Sequence, residues 1–182
     1  MDEITFPEQP YARMFMRNLL DETEEMKWKL LDYHNQDFVL ACSVDTRPYT
    51  EEGHRKFLES LPGLKRRHYI VYFDGRAIGK HSYDIEEGRI TDSSTFFFHR
   101  EDIMSGLGVL WEAFILRFSF EYLKVESYAF SVRKDNKPMM SAMKRLAQRV
   151  REDEILCYFE ITREAFPSCM KKLEPLLPYC LQ

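Results

Sequence analysis

The sequence predicts one mixed α/β (α+β) domain over residues 1–182, with a C-terminal tail at 164–182, and three observations carry that prediction. Three β-branched or aromatic runs follow one another at 68–73, 76–85 and 89–99. They are joined by Asp74-Gly75 and Glu87-Gly88, pairs suited to tight hairpin turns. A nearly all-apolar helix, from about Val109 to Tyr122, stands between the third run and another strand at 125–132, which is the pattern of a parallel strand–helix–strand crossover. Further amphipathic segments supply helices to cover a mixed sheet.

Taken in order, 12–20 alternates loosely between apolar and polar residues and reads as a first strand. Residues 22–33 place Met26, Leu30 and Tyr33 at helical spacing behind an acidic first turn. Residues 34–50 read as a loop. Thr50 then caps a helix over 51–61 that buries Phe57, Leu58 and Leu61. After the three strands and the apolar helix, Asn136 opens a helix whose stripe is Met139, Met143, Leu146 and Val150, widened by Met140 and Ala147. A last strand spans 154–161, and the tail holds three of the eight prolines.

Composition narrows the function classes. Hydrophobic residues make up 45% and aromatic residues 14%, enough for a sizeable core. The net charge of −4 argues against nucleic-acid binding driven by bulk electrostatics. No apolar run has the length of a bilayer span, and the acidic N-terminus lacks the basic and apolar regions of a signal peptide. Cys42, Cys157, Cys169 and Cys180 show no metal-ligand spacing and read as reduced thiols of a cytoplasmic protein.

Gly106 and Gly108 stand directly before the apolar helix. A helix N-terminus offers unsatisfied N–H groups and a positive dipole end, a natural phosphate cradle that glycine lets a ligand approach closely. An isolated glycine pair is more often the mark of a simple flexible turn. No Gly-Lys-Ser/Thr follows and no third glycine is present, so neither a P-loop nor a dinucleotide fingerprint is met.

With IMSGLG at 103–108 and VRKDNKPMMSAMKRLAQ at 132–148, the chain resembles the GNAT superfamily of acetyl-CoA-dependent N-acetyltransferases. In that family a splayed strand precedes a Q/R-x-x-G-x-G/A loop, and a later strand leads into V-x-x-x-N-x-x-A-x-x-x-Y-x-K-x-G-F. A narrower resemblance is to the branch that acetylates nucleotide-linked amino sugars in the pseudaminic acid pathway. It rests on YHN (33–35), EEGHRKFLESL (51–61), RRHYIVYFDGRAIG (66–79) and VRKDN (132–136), with His34 standing where that branch has arginine.

The resemblance implies a mixed, splayed sheet with helices on both faces and acetyl-CoA as cosubstrate. It assigns the pyrophosphate to Ile103, Met104, Ser105, Gly106, Leu107, Gly108 and Val109. Phe98, Asn136 and Met143 complete the cofactor side. The implied acceptor is a primary amine on a sugar nucleotide, met by His54 and Arg66, with His81 and His99 as candidate proton acceptors. Each has a plainer reading: His54 and Arg66 as solvated residues, His81 as a core histidine, His99 as a strand end, Asn136 as a helix cap.

The alternatives are a protein N-terminal or ribosomal-protein acetyltransferase, and a domain of this fold that binds CoA or a partner without turnover. Ile103 in place of Gln/Arg, Met143 in place of the acid tyrosine and Ala147-Gln148 in place of Gly-Phe favour the last, because a thioether donates no proton. A homodimer is allowed; no metal, nucleic acid or membrane is expected.

Overall fold

A computed structural model describes residues 3–180; the side chains of Met104, Tyr179 and Cys180 lie outside the described part. Its eight strands are ordered β1-β2-β3-β4-β5-β6-β8-β7. The chain divides into two compact units, residues 1–82 with 95–100, and residues 83–94 with 101–182.

Both hairpins form where the glycine pairs stand. Asp74 and Gly75 have φ +48° and +77°, and Glu87 and Gly88 have +48° and +74°. Two successive left-handed residues make type I′ turns, whose twist matches that of the flanking strands. They join β3 (Arg67–Phe73), β4 (Arg76–Glu86) and β5 (Arg89–Phe97).

In the first unit, β1 (Ile4–Thr5) and β2 (Met14–Asn18) extend the sheet antiparallel from β3. Helix α1 (Glu24–His34) starts at Thr23, whose Oγ1 accepts the Met26 N–H at 3.1 Å. The segment expected as a loop contains a short helix, α2 (Asp37–Leu40), which buries Val39 and Leu40. Helix α3 (Glu51–Ser60) starts at Thr50, which accepts from Gly53 N–H at 3.1 Å as expected. Its buried side chain is His54, whereas Phe57 and Leu58 are half-buried. The core gathers Leu19, Leu30, Leu61, Ile70, Tyr72 and Phe98.

In the second unit, α4 (Arg100–Met104) leads to α5 (Leu107–Arg117) and a π-helical turn at Phe118–Tyr122. Strand β6 (Ser127–Arg133) and helix α6 (Lys137–Leu146) follow. The expected continuation of that helix to Val150 does not occur. Ala147 is extended and Gln148–Glu152 forms β7, an edge strand with a bulge between Arg149 and Arg151. Pairing with β8 (Leu156–Thr162) captures this polar stretch, and Val150 is left 50% exposed. The tail is also ordered into helix, as α7 (Phe166–Leu173) and α8 (Leu177–Cys180). Cys169, Met170, Leu173 and Leu177 recur at helical spacing and are buried. Cys169 Sγ donates to Leu146 O at 3.0 Å and Lys172 Nζ to Arg145 O at 2.7 Å, so α7 satisfies carbonyls at the end of α6.

Candidate functional site

The second unit contains the opening in the sheet. Strands β5 and β6 are parallel, yet their ladder holds only Arg89↔Ser127 and Ile90↔Tyr128. On its other side β6 pairs with β8 through seven successive residues, from Ser127 to Arg133. The parallel ladder therefore stops while β6 runs on, which is the splay the motifs imply.

Gly106 is the N-cap of α5 with φ +82° and ψ −9°, a left-handed conformation that favours glycine. The turn engages part of its own donor set. Leu107 N–H donates to Ser105 Oγ at 3.2 Å and Val109 N–H to Gly106 O at 2.9 Å. Ser105 Oγ in turn donates to Asp102 O at 2.8 Å. Leu107 is buried, Gly108 and Val109 are half-buried and Ile103 is exposed. Gly108 lies inside the first helical turn with ordinary φ, so positive φ is required at Gly106 alone. The expected cofactor contact of the Met104 side chain lies outside the described residues.

Asn136 caps α6, its Oδ1 accepting the Met139 N–H at 3.3 Å. Met143 is 3% exposed and packs with Val132, Met140, Cys157 and Phe159. A cofactor role for its side chain is corrected by that burial: at i+7 from Asn136 the helix turns it into the core.

Of the expected site residues, His54, Arg66, His81, Phe98 and His99 lie in the first unit. His54 is 6% exposed and its Nε2 lies 2.8 Å from Lys27 O, so it ties α3 to α1 and does not face a substrate. Phe98 is fully buried, its ring stacked on Tyr33 at 4.1 Å, and its N–H donates to Ile78 O at 2.8 Å. Neither its side chain nor its amide is left for a cofactor. Arg66 is half-buried and its Nε donates to Ser82 Oγ at 3.3 Å. His99 is half-buried with its ring edge-on to Tyr33 at 5.5 Å.

Around Arg66 stands a group of basic residues. His81 is completely buried, and burial, then the charges of Arg66 and Lys80, push its imidazole down to about 3. It is thus a neutral core histidine and a poor base, a correction to its expected role. His68 on β3 is buried with neither ring nitrogen hydrogen-bonded; burial, then Lys80 and Arg66, lower it to about 3. His34 at the end of α1 is lowered to about 4 by burial and then by Lys80. Lys80 itself, half-buried on β4, is lowered to about 8 by burial and then by Arg66. Sequence reasoning passed over Lys80 and His68. The available signal was a basic pair inside a strand, Lys80-His81 after Gly79, where a buried strand runs apolar.

Among the described residues no group of three or more His, Cys, Asp or Glu side chains is placed to hold a metal ion, and no helix is long and apolar enough to cross a membrane.

No family model and no curated protein sequence matches the chain. Solved structures do. The Campylobacter jejuni N-acetyltransferase PseH is 16% identical with a TM-score of 0.64, covering 82% of this chain and 98% of its own. It is also known in complex with acetyl coenzyme A, where the TM-score is 0.63. The aminoglycoside acetyltransferase AAC(6')-Ib with coenzyme A is 16% identical with a TM-score of 0.68, covering 85% of this chain and 98% of its own. An uncharacterized protein from Bacillus halodurans is 13% identical with a TM-score of 0.76, covering 89% of this chain and 90% of its own. With its splayed β5–β6 pair and glycine-capped helix, the chain has the fold of the GNAT N-acetyltransferases.

Proposed function

We propose that the protein transfers acetyl from acetyl-CoA to a primary amine, on a nucleotide-linked amino sugar. The observation that supports this reading best is the combination, within one unit, of a parallel ladder that opens after two pairs and a helix entered through left-handed Gly106. An opened strand offers main-chain groups to the amides of pantetheine, and a helix N-terminus favours a pyrophosphate. The turn over Ser105–Val109 holds the pyrophosphate in this reading, and Asn136 meets pantetheine with the amide hydrogens its cap leaves over.

Arg66, half-buried and with its Nε donating to Ser82 Oγ, is the candidate contact of this reading for a phosphate on the acceptor.

Calorimetric titration of acetyl-CoA tests the cofactor half, with Gly106→Val alongside. Saturable binding by the wild type is expected. The valine is expected to weaken it at least tenfold, since a β-branched residue at positive φ costs ~1–3 kcal/mol. No heat at near-millimolar acetyl-CoA refutes the reading. Acetyl transfer to a uridine-diphosphate amino sugar, compared with transfer to peptides bearing a free N-terminus, decides the acceptor.

A further inference from the structure

We infer that the first unit holds a binding site for the phosphate group of a small phosphate ester, formed by His68 and Lys80 beside the Phe57 ring, with His34 and Arg66 completing the basic set. Every residue involved lies in that unit, so the inference needs neither the second unit nor the acetyl-transfer reading. Three basic side chains meet one aromatic ring. The His68 imidazole stands edge-on to Phe57 with centroids 5.3 Å apart, and the His54 ring lies 5.9 Å from it. Lys80 Nζ is 5.6 Å from the same centroid. His54 is already committed, since its Nε2 lies 2.8 Å from Lys27 O. His68 and Lys80 are not.

His68 is 7% exposed, and neither of its ring nitrogens makes a hydrogen bond among the described residues. On β3 it alternates onto the face of Ile70 and Tyr72, which pack in one cluster with Leu30 of α1 and Phe57 of α3. Lys80, half-buried on β4, makes no hydrogen bond and no ion pair among the described residues. The Nδ1 of His34 is likewise buried without a partner, its ring edge-on to Tyr49 at 4.2 Å and to Phe96 at 5.1 Å. Buried polar atoms are almost always paired, because leaving one dry is costly. Two imidazoles and an amine left so in one unit are groups kept for a ligand.

The chemistry of the set selects an anion. The charges that act on His34, His68 and Lys80 come from Lys80, Arg66 and His54, all of them basic. An ammonium with three donors, a guanidinium and the N–H of a neutral imidazole offer hydrogens and positive charge together. That charge is costly beside an aromatic wall while it stays uncompensated. A bound anion removes the cost and gains charge-assisted hydrogen bonds, which a low-dielectric surrounding strengthens. Donors come from the sheet through His68 and Lys80, and from the end of α1 through His34. The three oxygens of a phosphate ester can meet donors from several directions, whereas a carboxylate presents two oxygens in one plane.

Calorimetric titration of inorganic phosphate into the whole protein, at low ionic strength near neutral pH, is the test. One saturable site is expected, from which glucose 1-phosphate displaces the inorganic ion and at which acetate binds about tenfold more weakly or worse. Lys80→Met and His68→Phe should each weaken phosphate by about tenfold or more. Lys56→Met removes the same charge from an exposed position on α3 and should leave the affinity unchanged. A second measurement needs no variant to fold. In the wild type the His68 imidazole, held at about 3 by burial and then by Lys80 and Arg66, should titrate higher in proton NMR when phosphate is bound. Packing alone gives no such shift. No saturable binding at tens of millimolar phosphate, or acetate bound as tightly as phosphate, overturns the proposal. So does an ion that glucose 1-phosphate fails to displace, a His68 titration that phosphate leaves in place, or an equal loss in Lys56→Met and Lys80→Met.

Discussion

The two units carry their candidate elements in different materials. In the second, the candidate cofactor elements are backbone: a ladder that opens, a left-handed glycine and a helix end, with apolar Leu107 and Val109 beside them. In the first, what stands out is a set of basic side chains, Arg66, His68, Lys80 and His81, on or beside two strands. Backbone sites tolerate sequence drift because any residue supplies an N–H, so a chain can lose the Gln/Arg, the tyrosine and the Gly-Phe of a family pattern and keep the geometry. Side-chain sites carry their chemistry in titration, and pH is the variable that exposes them.

The sharpest break between the units is therefore expected in stability against pH. His34, His68 and His81 are held at about 4, 3 and 3 in the fold, below the ordinary value of 6.5. As pH falls below 6.5 the unfolded chain gains protons that the folded chain refuses, so each histidine removes up to about 1.4 kcal/mol per pH unit. Glu112, on α5 in the other unit, runs the opposite way. Burial raises it from 4.5 to about 7, so its cost grows as pH rises between those values. The histidines outnumber it, and urea unfolding should show several kcal/mol lost between pH 6.5 and pH 4.5. His68→Phe should flatten that slope and Glu112→Gln should steepen it; equal slopes for all three proteins would erase the contrast.

Next in size is the packing around α6. Met143→Tyr restores the residue of the family pattern, but the side chain enters a filled cluster with Val132 and Phe159. Overpacking should cost about 1–3 kcal/mol in urea unfolding, with no gain in acetyl transfer. A stable variant with faster transfer would move position 143 from the core to the site. The smallest effect is expected at His54, where alanine removes the bond to Lys27 O and part of the contact with Trp28 and Phe57. A loss of about 1 kcal/mol with unchanged acceptor KM is the expected result; a raised KM at wild-type stability would return His54 to the acceptor side.

Local chemistry determined much of this protein from sequence alone. The two type I′ turns follow from Asp-Gly and Glu-Gly, the starts of α1, α3 and α6 from oxygen-bearing caps, and the left-handed entry to α5 from Gly106. Each is settled within four or five residues, by sterics and by one hydrogen bond. Tertiary structure alone decided what depends on a distant partner. Gln148–Glu152 became a strand because β8 pairs with it, although the methionine stripe before it was helical. The tail became helix against α5 and the end of α6. His54 and Met143 turned inward and Phe98 lost its amide to Ile78, because burial and pairing are set by neighbours far along the chain. Lys80 was illegible for the same reason: a lysine in a sequence is an ordinary cation, and only burial beside Arg66 makes it a group that changes charge near neutral pH.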